Sequence, residues 1–114
     1  MIASSPDKFK LFVYGTLLEP GCRDGLLGHP VTTRPACLDG YRVERGRYLY
    51  IVAAPGVAID GLLMLDVSID DFAILDRYEQ LPHLYTRESI EVVTPSGERL
   101  GCWVYMPTSA LIAD

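Results

Sequence analysis

The run SIDDFAILDRYE, residues 68–79, is the one stretch with a convincing helical period, and it stands alone among segments suited to extended backbone. Ser68 can cap it, and Asp71, three residues on, brings a carboxylate to the positive end of the helix. Ahead of it lie Lys10–Tyr14, the bent segment TTRPACLDGYRVE (32–44), RYLYIVA (47–53) and VAIDGLLMLDV (57–67). Behind it lie Thr86–Val93 and Arg99–Met106, joined by TPSGE with Gly97 at the turn. About six strands with a single helix between them, and no βαβ alternation, predict an α+β domain. A small mixed β-barrel or a strongly curved mixed sheet with one main helix satisfies that order. Pro35 is expected to keep its strand at an edge, Pro55-Gly56 to turn the chain, and Gly61 to mark a bulge or a close backbone contact. GCRDGLLGH (21–29) reads at most as a short helix broken by Gly25 and Gly28.

A chain of 114 residues with 49% hydrophobic content can bury a sizeable core, and the 22% charged fraction argues against disorder. One domain over residues 1–114, with its core at about 9–107, is the expectation. The net charge of −5, without a basic block, gives no support for nucleic acid or an anionic membrane as partner. Cys22, Cys37 and Cys102 form neither a disulfide framework nor a metal-like spacing, so no metal is expected and a reducing cytoplasm is the natural compartment. MIASSPDKFK lacks the apolar core of a leader, and no run approaches a membrane span. The oligomeric state is left open.

Projected at 3.6 residues per turn, Ile69, Phe72 and Leu75 form the inward stripe of the helix, with Asp70, Arg77 and Gln80 on the solvent side. The next member of the stripe is Glu79. Burial and the negative end of the macrodipole would both raise its pKa toward the value a general acid/base needs. The alternative is a helix that frays early, leaving Glu79 in water or paired with Arg77 or Arg87. A second unusual stretch is KLFVYGTLLEPG (10–21), where a strand runs straight into Gly15. Either Gly15 supplies a positive φ for a turn, or the N–H groups of Gly15, Thr16 and Leu17 are left free to hold an anion. His29 and His83, beside prolines and without a carboxylate at orienting spacing, read as surface histidines. Glu19 and Asp24 read as solvated loop acids, and Cys102 as buried and inert.

Taken together, VYGTL (13–17), IDGLLMLDVS (59–68), ILDRYE (74–79), YTR (85–87) and GCWVYM (101–106) resemble the γ-glutamylcyclotransferase-like family, which includes the γ-glutamylamine cyclotransferases and avirulence-induced-gene-like proteins. The resemblance runs from about Phe12 to Met106. It implies a small mixed barrel in which the glycine loop and the helix-end glutamate face one cavity. It also implies Glu79 as catalytic acid/base, with Tyr14, Gly15, Thr16 and Leu17 as a substrate-cradling loop and Tyr85 and Tyr105 as cavity tyrosines. The implied substrate is a small γ-glutamyl amine or peptide, cyclised to 5-oxoproline without any cofactor. A non-catalytic module binding an amino-acid-like metabolite in the same cavity is the alternative. Two departures bear on substrate identity. Leu18-Glu19-Pro20 stands where many relatives carry a basic residue, and Leu62 follows Gly61 where relatives often have Glu.

Overall fold

The computed structural model describes residues 8–113, so the first seven residues, read above for a leader, lie outside the described residues. Five strands close a barrel: β1 (Phe9–Val13), β2 (Thr33–Arg45), β3 (Leu49–Val67), β4 (Tyr85–Val93) and β5 (Arg99–Pro107), in the spatial order β1-β3-β2-β4-β5. β1 runs antiparallel to β3 and parallel to β5, meeting the latter at Leu11↔Trp103, so the sheet is mixed. Three helices accompany it: α1 (Pro20–Leu27), α2 (Ile69–Tyr78) and α3 (Ser109–Ala113).

Most of the wall is one long ribbon. β2 and β3 pair from Thr33↔Met64 to Arg45↔Leu49, and the chain reverses only at Gly46–Tyr48. Pro55-Gly56 therefore does not turn the chain, contrary to the sequence expectation. Tyr41 faces Ala53 and Asp39 faces Ala58, so Ala54–Val57 bulge out opposite the single residue Gly40. Gly40 and Gly56 take φ of 84° and 88°, values that side-chain-bearing residues adopt reluctantly. The bulge absorbs the extra residues while the ladder resumes on both sides, which merges two expected strands into one and reduces six to five. β4 joins β2 only at Cys37↔Val93, so Pro35 sits on an edge that needs few N–H donors.

Gly61 is a close-contact glycine. A Cβ there would stand 2.5 Å from the Val13 carbonyl oxygen and 2.7 Å from Phe12 Cζ. Only a residue without a side chain lets β1 lie this close to β3.

Alternation along β1 divides the apolar side chains into two cores. Phe12 joins Leu38, Ile51, Leu63, Val92 and Val104 in a core drawn from all five strands. Leu11 and Val13 instead meet Leu27, Phe72, Leu75 and Leu111 of the helices. α1 is more regular than its glycines suggest, because Pro20 occupies its first turn and Gly28, at φ 76°, stops it. No helix among the described residues is long and apolar enough to cross a membrane.

Candidate functional site

The geometry begins with how α2 starts and stops. Ser68 accepts the Asp71 N–H at 3.0 Å while the Asp71 carboxylate accepts the Ser68 N–H at 3.1 Å, a reciprocal capping box. Phe72 and Leu75 are buried, but Ile69 is 58% exposed, which corrects the projected stripe. In the first turn Asp71 is buried in its place, held by its cap and by His29. Asp70 and Arg77 face solvent as projected, whereas Gln80, though exposed, lines the cavity described below.

At the other end the helix does not fray. Glu79 is the C-cap residue, still in helical conformation, and its N–H donates to Leu75 O at 2.8 Å. Gln80 follows at φ 59°, its N–H donating to Arg77 O at 3.1 Å, and Leu81 N–H donates to Asp76 O at 2.9 Å. These bonds make a Schellman turn with glutamine in the position usually held by glycine. The backbone on both sides of Glu79 is thus fixed, and its side chain is half-buried in the wall of a cavity of about 470 Å³. Burial pushes its carboxyl up to about 7. Neither Arg77 nor Arg87 neutralises it. Arg77 is exposed, and Arg87 donates through Nε and Nη2 to the two oxygens of Asp76, both at 3.0 Å, with its guanidinium 4.1 Å from the Phe72 ring centre.

In the wall of the same cavity, β1 ends at Val13 and the chain makes one 3₁₀ turn at Thr16–Leu18. Its first bonds are Leu18 N–H to Gly15 O and Glu19 N–H to Thr16 O. Among the described residues, nothing accepts the N–H groups of Gly15, Thr16 and Leu17. Gly15 has φ −124°, so a positive φ is not why it is there. Arg23, only 6% exposed, braces the loop from behind, donating from Nη1 to Leu17 O at 3.2 Å and Leu18 O at 2.9 Å. Thr16 Oγ1 meets the Tyr78 hydroxyl at 2.8 Å and so ties the loop to the helix that carries Glu79.

Tyr14, Gly15, Thr16, Leu17, Glu79, Tyr85 and Tyr105 all line this one cavity. The tyrosine hydroxyls are directed away from free rotation. Tyr14 donates to Tyr105 O at 2.9 Å, Tyr85 to Leu49 O at 2.5 Å, and Tyr105 to Asp76 Oδ1 at 2.7 Å. Burial raises all three above the usual phenol range, Tyr85 to about 12, with the nearby Glu79 carboxyl adding to the rise. They therefore remain neutral, presenting ring surface and oxygen lone pairs. Asp76 joins Arg87 of β4 to Tyr105 of β5 and anchors the last turn of α2 to both strands.

Several wall residues escape a reading of the sequence. Arg45, Arg47, Tyr48 and Leu49, at the tip of the β2–β3 ribbon, line the cavity with Tyr78 and Gln80. Their only sequence signal is a basic and aromatic turn between two strand runs, which means little until the ribbon is seen to fold over the glycine loop. Arg23 carried no signal. His29, read as lacking a carboxylate partner, has one from far along the chain: its exposed ring places Nε2 2.8 Å from Asp71 Oδ1. That hydrogen bond raises the His29 pKa. Although burial pushes Asp71 up, its bonds to His29 and Ser68 hold it below the usual carboxylate range. Among the described residues there is no cluster of three or more His, Cys, Asp or Glu able to hold a metal.

A model of the family described as "Gamma-glutamyl cyclotransferase, AIG2-like" matches residues 11–113. The chain belongs to that family. It is 29% identical over 99 residues to protein AIG2 C of Arabidopsis thaliana, covering 82% of this chain and 57% of that protein. The chain spans about half the length of the curated relatives it matches. An Arabidopsis thaliana protein solved in solution superposes with a TM-score of 0.81 at 27% identity, covering 96% of this chain and 68% of that one. A solved gamma-glutamyl cyclotransferase superposes at 0.79 with 17% identity over 90% of this chain and 68% of its own, which speaks to fold. Both departures of this family member fall outside its cavity wall. Glu19 is exposed, and Leu62 is half-buried opposite Val13 and Pro35.

Proposed function

We propose that this chain is a γ-glutamylcyclotransferase-type enzyme, cyclising the γ-glutamyl group of a γ-glutamyl amine or peptide to 5-oxoproline with release of the amine. The observation that carries this reading is Glu79, a carboxyl held at about 7 in the wall of a cavity that it shares with three unpartnered amides. A γ-glutamyl compound brings its own nucleophile. Its α-nitrogen attacks the γ-carbonyl, a five-membered ring closes, and the bond from the γ-carbon to the leaving nitrogen breaks. The α-ammonium gives up two protons, and the leaving amine gains two. Glu79, with both protonation states populated near neutral pH, takes protons from the first nitrogen and returns them to the second. The N–H groups of Gly15, Thr16 and Leu17 hold the α-carboxylate or the oxyanion, and Tyr14, Tyr85 and Tyr105 shape the chamber around the ring. Positioned proton transfer of this kind contributes roughly 10²–10⁴-fold, and losing one oxyanion donor costs about 3 kcal/mol.

An acid beside the glycine loop would favour the non-catalytic binding module by weakening the pull on an anionic substrate, but Glu19 is exposed and outside the cavity wall. The test is release of 5-oxoproline from a panel of γ-glutamyl amines and peptides. Glu79→Gln is expected to lose at least about 100-fold in turnover. Equal turnover by the two proteins refutes the role given to Glu79, and saturable binding without 5-oxoproline would establish the binding module instead.

A further inference from the structure

The tip of the β2–β3 ribbon lines the cavity with two arginines, Arg45 and Arg47. Five of the other six arginines among the described residues are engaged. Arg34 pairs with Glu98, Arg42 with Glu44, Arg87 with Asp76 and Arg99 with Glu91, while Arg23 is bonded to two carbonyls. Among the described residues Arg45 and Arg47 have no acidic partner, and neither does Arg77, which faces solvent away from the cavity. Arg42, on the same ribbon, does have one, so carboxylates are within reach of this part of the chain but not at its tip.

The tip is also held in place. Arg45 pairs with Leu49 in the ladder, Leu49 O accepts the Tyr85 hydroxyl, and Leu49 Cδ1 comes within 3.7 Å of where a Cβ on Gly15 would stand. Arg47 stacks over Tyr48 with its guanidinium carbon 5.7 Å from the ring centre. Both arginines line the cavity and are exposed, as groups at a rim are.

We infer that Arg45 and Arg47 form a carboxylate subsite for the leaving group, so that the preferred substrates are γ-glutamyl amino acids or peptides rather than γ-glutamyl derivatives of neutral or cationic amines. This rests on the reaction proposed above. With the γ-glutamyl end held by the glycine loop and Glu79, the departing amine extends toward the ribbon tip. A carboxylate there meets planar donors suited to two-point contact, in a protein whose overall charge otherwise repels it. A polyamine there meets two like charges.

The experiment compares γ-glutamyl-alanine with γ-glutamyl-alaninamide, which differ only in the terminal carboxylate. The readout is the ratio of their kcat/KM values for 5-oxoproline release, in wild type and in Arg45→Ala/Arg47→Ala, with thermal melts showing that both are folded. Wild type should prefer the carboxylate by about tenfold or more, consistent with a charge-assisted contact, and raising the salt should shrink that preference. In the double variant the ratio should fall toward one, whatever happens to the absolute rate. Turnover of both substrates at equal efficiency by wild type overturns the subsite and leaves the proposed reaction standing. A preference that survives in the double variant overturns the assignment to these arginines. If neither substrate yields 5-oxoproline, the reaction itself fails and takes the subsite with it.

Discussion

Replacing Glu79 with Gln keeps the size of the side chain and removes its titration, which isolates the cost of ionising a carboxyl in the cavity wall. Burial moves this group from 4.5 to about 7. At 1.36 kcal/mol per pH unit, a gap of about 2.5 corresponds to roughly 3 kcal/mol. The folded protein holds this proton more tightly than the unfolded chain does. Stability therefore drops as pH climbs from about 4.5 to about 7 and levels off beyond. The Gln variant lacks that slope. Urea unfolding of both proteins at pH 4 and pH 8.5 measures it: the variant should gain on wild type by roughly 3 kcal/mol between the two values. His29, whose bond to Asp71 raises its pKa, also contributes stability that is lost as pH rises through its folded pKa. It does so in both proteins and sits by the opposite end of α2, so it cancels in the difference. A gain below about 1 kcal/mol would mean that Glu79 titrates as a solvated acid, and the reasoning from burial to proton transfer would collapse.

Two further substitutions test the scaffold. Gly61→Ala forces a methyl against the Val13 carbonyl and the Phe12 ring, and should cost about 1–3 kcal/mol in urea unfolding; no loss would show that β1 and β3 are not in close contact. Gln80→Gly removes a left-handed conformation that glutamine tolerates poorly, and should stabilise by roughly 1 kcal/mol in a thermal or urea melt, whereas a destabilised variant would contradict the Schellman ending of α2.

Local chemistry made much of this fold legible. The capping box at Ser68 and Asp71, the stripe of Phe72 and Leu75, the strand runs and the closeness implied by Gly61 are all written in neighbouring residues. What stayed hidden depends on partners far apart in sequence. The Pro55-Gly56 bulge looked like a turn because dipeptide chemistry does not say whether a partner strand continues past it. Ile69 looked inward because an ideal projection does not know that Asp71, held by its cap and by His29, fills the buried position of the first turn. His29 looked isolated because Asp71 is brought to it only by tertiary structure. The glutamate and the glycine loop could be singled out from the sequence, but the arginines at the ribbon tip could not, since nothing local tells where a hairpin will fold.

The placement of β1 has a bearing on how the molecule comes into being. β2 with β3, and β4 with β5, are neighbours along the chain and can zip locally, whereas Leu11 must find Met64 on one side and Trp103 on the other. Docking it closes long loops, which disfavours early formation. During synthesis on a ribosome, β1 emerges before the other four strands yet cannot complete its pairing until the fifth has followed, and the chamber, which Tyr105 of β5 helps to line, is whole only then.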